Sequence, residues 1–119
     1  MSQDRPTAAE LLAAIADLLR EEVTPVLDKV EPRLGFQMRV AANSLAILER
    51  EARLGPAADA REHQRLVKLL GRDGSLDDLN RELAQQLRSG ERDERDAVLM
   101  AHLDATIADK IAIANPKWR

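Results

Sequence analysis

Apolar residues recur every three or four positions through most of the chain, and nowhere do they alternate one by one. Leu11, Leu12, Ile15, Leu18, Leu19, Val23, Val26, Leu27 and Val30 form the first such series. This spacing lays a stripe along one side of an α-helix, whereas a half-buried strand needs a period of two. The expectation is an all-α protein.

Glycine and proline cut the pattern into helical lengths, at Pro6, Pro32 to Gly35, Gly55-Pro56, Gly71 to Gly74, Gly90 and Pro116. The first helix is expected to begin near Thr7. With Glu10 three residues on, Thr7 forms a capping box that satisfies two backbone N–H groups. The apolar phase survives Pro25, so the segment reads as one helix kinked near Pro25, or two nearly collinear pieces, rather than a hairpin. A second helix is expected over about 34 to 54, ending where Gly55 can cap and Pro56 cannot continue. A third, about 57 to 70, carries Leu66, Val67, Leu69 and Leu70. A fourth opens at Ser75 with Asp78 and presents Leu76, Leu79, Leu83 and Leu87. The fifth runs from Asp93 to Asp96 as far as Ala114, along Leu99, Leu103, Ile107 and Ile111, before Asn115-Pro116. Short connections favour antiparallel neighbours, so the expected fold is an up-and-down bundle of four to five helices forming a single domain over 1–119.

At 119 residues, with 45% apolar and 33% charged residues, folding should bury roughly two-thirds of the extended chain's surface. With one Phe, one Trp and no Tyr, the core must be built from Leu, Ile, Val, Ala and Met. The net charge of −3 is spread along the chain, which argues against nucleic-acid binding. Cysteine is absent, so disulfide and thiol chemistry are excluded. The opening MSQDRPTAAE lacks a signal-peptide pattern, and no apolar run approaches the roughly 18 residues of a membrane span. A cytoplasmic location is the expectation.

The second helix shows two apolar stripes, Phe36, Val40, Ile47 and Leu54, then Leu34, Met38, Ala41, Leu45 and Leu48. Two stripes imply packing on two sides, as for a central helix. Arg39 and Asn43 lie along one border. They read either as a packed polar edge, with Arg39 snorkelling along its aliphatic stem, or as a ligand site. In the second case a planar guanidinium suits a carboxylate or phosphate. His63 lies four residues after Asp59, and His102 one turn from Thr106 with Asp109 nearby; both read as surface clusters, the alternative for the second being a general acid–base pair of His102 with Asp109 for which no nucleophile is evident. Two isolated histidines cannot supply the three protein ligands of a catalytic zinc site. No Glu-x-x-His pair, Walker loop or EF-hand spacing occurs, so no catalytic residue, metal or cofactor is expected. Trp118, the only Trp, reads as a plug over a helix end or as an anchor for a partner.

Several fragments, "DRPTAAELL", "EEVTPVL", "FQMRVAANSLAILERE" followed by "LGP", and "IANP", together resemble a small bacterial family of helical proteins of unknown function. Members of that family are often encoded beside aminoglycoside-phosphotransferase-like kinases and acyl-CoA dehydrogenases. The resemblance implies an accessory role in acyl-CoA or related catabolism and supplies no catalytic residue. The expected function is a non-catalytic interaction protein that partners such a kinase or dehydrogenase, or itself as a homodimer. The alternative is a protein that binds an acyl or phosphorylated metabolite at Arg39 and Asn43.

Overall fold

A computed structural model describes residues 5–93 and 95–117. The chain is all-helical, with no strand among the described residues. Helix α1 (Ala8–Leu18) passes into a π-helical turn (Leu19–Val23) and then into α2 (Thr24–Val30). Helices α3 (Pro32–Leu70), α4 (Leu76–Ser89) and α5 (Ala97–Ala114) follow. Taking α1 to α2 as one continuous segment, the described residues form four helices.

Thr7 starts α1 as its sequence demands: its hydroxyl accepts from Glu10 N and the Glu10 carboxylate accepts from Thr7 N. Pro25 does not interrupt the segment. The widened turn before it, where the Thr24 N–H reaches back to Leu19 O, absorbs the missing donor and the ring's clash with the previous turn. Glu31 alone joins α2 to α3. Its backbone, at φ −147° and ψ 88°, lies outside the α region that a following proline disfavours, its N–H bonds Leu27 O, and its carbonyl accepts from Leu34 N and Gly35 N.

The expected end of a helix at Gly55-Pro56 is corrected, because α3 runs through both residues. Proline keeps the preceding residue out of the α region largely by crowding its Cβ, and glycine has none. What remains is the loss of one hydrogen bond at the Ala52 carbonyl and the crowding of that carbonyl by the proline ring. Among the described residues the count is therefore four helices and not five.

The structure divides into two compact units near this point. Unit 1 comprises residues up to Leu54 with Ile113–Asn115, and unit 2 is built on Gly55–Ala112. In unit 2, Leu66 of α3, Leu79 and Leu83 of α4 and Leu99 of α5 form a buried cluster, flanked by Val67, Leu69, Leu70, Leu76, Leu87 and Leu103. Ser75 caps α4 by accepting from Asp78 N, and Gly90 ends it at φ 82°, a conformation that disfavours a side chain. Asp96 accepts from Val98 N and Leu99 N at the start of α5. Ile107 is exposed rather than part of the inward face of α5, which is turned toward Leu99 and His102.

Unit 1 is built differently. Its buried residues are small: Ala16, Thr24 and Ala42, with Gly35 at a close approach. The half-buried stripe of α3 is Leu34, Met38, Ala41 and Leu45. Of the other stripe Phe36, Val40 and Ile47 are exposed, with Phe36 at 61%, and Leu54 is half-buried; Leu48, which ends the stripe begun by Leu34, is exposed. Packing of α3 on two sides along its length is thus corrected: among the described residues Leu34, Met38, Ala41 and Leu45 are half-buried, whereas Phe36, Val40 and Ile47 are exposed.

Candidate functional site

Arg39 and Asn43, one turn apart on α3, line a hollow of about 290 Å³ together with Arg20 and Thr24. The Arg20 Nη2 donates to Asn43 Oδ1 at 3.2 Å and to Ala42 O at 3.5 Å. The Arg39 Nη1 straddles both carboxylate oxygens of Asp28, at 3.0 and 2.7 Å. These bonds fix both guanidinium planes yet leave each with unused N–H groups. With its oxygen engaged by Arg20, Asn43 keeps its NH₂ as a donor.

Thr24 completes the hollow. It is only 5% exposed, and its Oγ1 has no hydrogen-bond partner. A buried hydroxyl without a partner costs about 1–3 kcal/mol, a cost that an acceptor in the hollow would remove. Donors dominate this hollow, and what donors can hold is an oxyanion such as a carboxylate or phosphate.

Arg20 and Thr24 were not singled out from the sequence. Their spacing was readable, but the widened turn before Pro25 sets the register that brings both beside Asn43, and no local pattern announces such a turn. Trp118, the candidate partner anchor, lies outside the described residues.

The two histidines leave the places expected of them. His63 does not pair with Asp59; its Nε2 lies 3.1 Å from Asp73 Oδ1 and 2.9 Å from Gly74 O, tying α3 to the loop before α4. His102 is no surface residue, being 4% exposed. Arg65 Nε donates to His102 Nδ1 at 3.1 Å, and Arg65 Nη2 donates to Thr106 Oγ1 at 3.0 Å. A guanidinium can only donate, so Nδ1 must be unprotonated and the ring carries its proton on Nε2. Burial first, and the Arg65 charge second, push the His102 pKa below its ordinary value, against a smaller opposing pull from Glu62. Asp109 pairs instead with Arg61 at 3.0 Å. The expected His102–Asp109 cluster therefore does not form. Among the described residues, no three His, Asp or Glu side chains converge as metal ligands.

A family model described as a domain of unknown function, DUF6285, matches residues 28–118. The chain belongs to the DUF6285 family. The matched stretch includes Asp28, Arg39 and Asn43, while Arg20 and Thr24 precede it. No curated protein and no solved structure is detectably similar to this chain. Among the described residues of this DUF6285 chain, no helix is long and apolar enough to cross a membrane.

Proposed function

We propose that the chain is a non-catalytic helical interaction protein, accessory to a phosphotransferase-like kinase or an acyl-CoA dehydrogenase, with its helices arranged as an up-and-down bundle in the cytoplasm. The observation that carries this reading is the uncovered stripe of Phe36, Val40 and Ile47 on α3. Leu11, Ile15 and Leu18 of α1 and Val26 and Val30 of α2 are exposed in the same unit. Apolar side chains exposed in such number mark an interaction surface more often than a solvated one. Chain and partner, or two copies of the chain, would bury them.

The test is affinity capture from the native host with the wild-type chain and with a Phe36→Asp/Ile47→Asp variant. A kinase- or dehydrogenase-like protein retained by the first and lost by the second supports the proposal. Failure to capture either class, with a monomer at every concentration in sedimentation analysis, overturns it.

A second reading is favoured by the orphaned Thr24 hydroxyl: an acyl or phosphorylated metabolite held at Arg39 and Asn43, with Arg20 and Thr24 as further donors. Thermal-shift screening with acyl-CoA and phosphorylated compounds tests it. A ligand whose stabilisation survives Arg39→Ala combined with Asn43→Ala does not bind there.

A further inference from the structure

Unit 2 contains a cleft of about 460 Å³ that none of the preceding readings uses. Its walls are the end of α3, the segment after α4 and the start of α5. Three cationic side chains reach it, Arg65, Lys68 and Arg92, and its apolar lining is Leu69, Val98 and Ala101.

Two of the cations are fixed in place. Arg92 donates from Nε to Gln86 Oε1 at 3.0 Å and from Nη2 to Leu69 O at 3.1 Å. Arg65 is held by His102, itself part of the lining, and by Thr106. Lys68 has no hydrogen-bond or ion-pair partner among the described residues and swings on a long stem. Among the described residues the one carboxylate in the lining is Asp96, whose Oδ1 accepts from the first N–H groups of α5. Among the described residues, three positive groups thus face one cleft against the single charge of Asp96, a net positive potential that favours an anion. Val98, 66% exposed, adds apolar surface to the same opening. The volume lies within the range of about 300–1,000 Å³ typical of small-molecule sites, which combine apolar walls with a few placed polar groups.

We propose that this cleft binds a small amphipathic anion, an oxyanion headgroup on a short aliphatic chain, with Lys68, Arg65 and Arg92 at the headgroup and Leu69, Val98 and Ala101 against the chain. The site is independent of the Arg39–Asn43 hollow and of the uncovered stripe of α3. The two fixed guanidinium groups need little ordering on binding, which favours affinity in a small ligand. Lys68 closes over the headgroup from its flexible stem.

The test is titration calorimetry on the full chain with hexanoate, hexyl phosphate, inorganic phosphate and hexanol. Binding of hexanoate or hexyl phosphate, with hexanol silent and inorganic phosphate much weaker, is the expected result. The stronger of the first two identifies the headgroup. Lys68→Gln and Val98→Ser, both at exposed positions that should not disturb folding, are each expected to weaken binding by about tenfold. Arg39→Ala combined with Asn43→Ala should leave it unchanged. Silence from both hexyl compounds overturns the proposal. So does binding indifferent to Lys68→Gln and Val98→Ser, or inorganic phosphate bound as tightly as its hexyl ester. Loss of binding in the Arg39→Ala/Asn43→Ala variant places the ligand in the other hollow and equally refutes this one.

Discussion

Thr24 and Gly35 show how one atom can decide a local free energy. The Thr24 hydroxyl is buried without a partner, so Thr24→Val, which preserves shape and removes the oxygen, is expected to stabilise the unliganded chain by about 1 kcal/mol. Thermal melting checks this, and a lower melting temperature would mean that the hydroxyl is satisfied in solution. Gly35 is constrained from outside its own helix. A Cβ there would overlap the Asp28 Oδ1 and lie 3.0 Å from its Cγ and 3.2 Å from its backbone N. Moving the Asp28 carboxylate aside costs its ion pair with Arg39, and the Asp28 backbone N cannot rotate away. Gly35→Ala gains about 1 kcal/mol of helix propensity but should lose about 1–3 kcal/mol to crowding. The expected net effect is destabilising, and it should shrink in an Asp28→Ala background; an equal effect in both backgrounds would place the crowding elsewhere. His102 governs a pH effect. Its folded-state pKa is depressed, so as pH falls the unfolded chain takes up the proton first. The neutral ring's contribution to stability is complete above about pH 6.5 and is lost as pH drops from there toward the lower folded-state pKa. Replacing His102 with Gln should flatten the dependence of the melting temperature on pH in that window. An unchanged slope would assign it to other groups.

Helix boundaries show which sequence signals are self-sufficient. The caps at Thr7 and Ser75 formed as read, because a hydroxyl and an N–H three residues apart need no tertiary help. The stripes of α4 and of the end of α3 were equally legible, since one apolar face had one core to enter. Gly55-Pro56 misled because breaker rules describe each residue alone, whereas a glycine before a proline removes much of the clash that makes proline a terminator. Pro56→Ala should restore a donor for the Ala52 carbonyl and stabilise α3 by up to about 3 kcal/mol with unchanged helix content. A fall in circular-dichroism helicity would show that the proline organises the segment. The candidate sites were less legible than the helices. Arg39 and Asn43 are one turn apart and could be paired by eye. Arg65 meets His102 across 37 positions and Arg20 meets Asn43 across 23, so only the folded chain brings them together.

At the scale of the molecule, large apolar side chains are distributed unevenly. Among the described residues the largest fully buried ones, Leu66, Leu79 and Leu99, all belong to unit 2. Unit 1 buries alanines and leaves Phe36, Val40, Val26 and Val30 exposed, the last at 77%. The two stripes of α3 were visible in the sequence, but whether both would be covered was not, because periodicity reports a face and not what lies against it. Deuterium uptake under native conditions should expose this imbalance. Amides around Leu66, Leu79 and Leu99 should exchange only when the whole leucine cluster opens, while those of α1 and α2 should open on their own at far lower free energy. The early opening of α1 and α2 should then slow when a second molecule settles on them, so labelling rates along one polypeptide double as an occupancy gauge for whatever binds it.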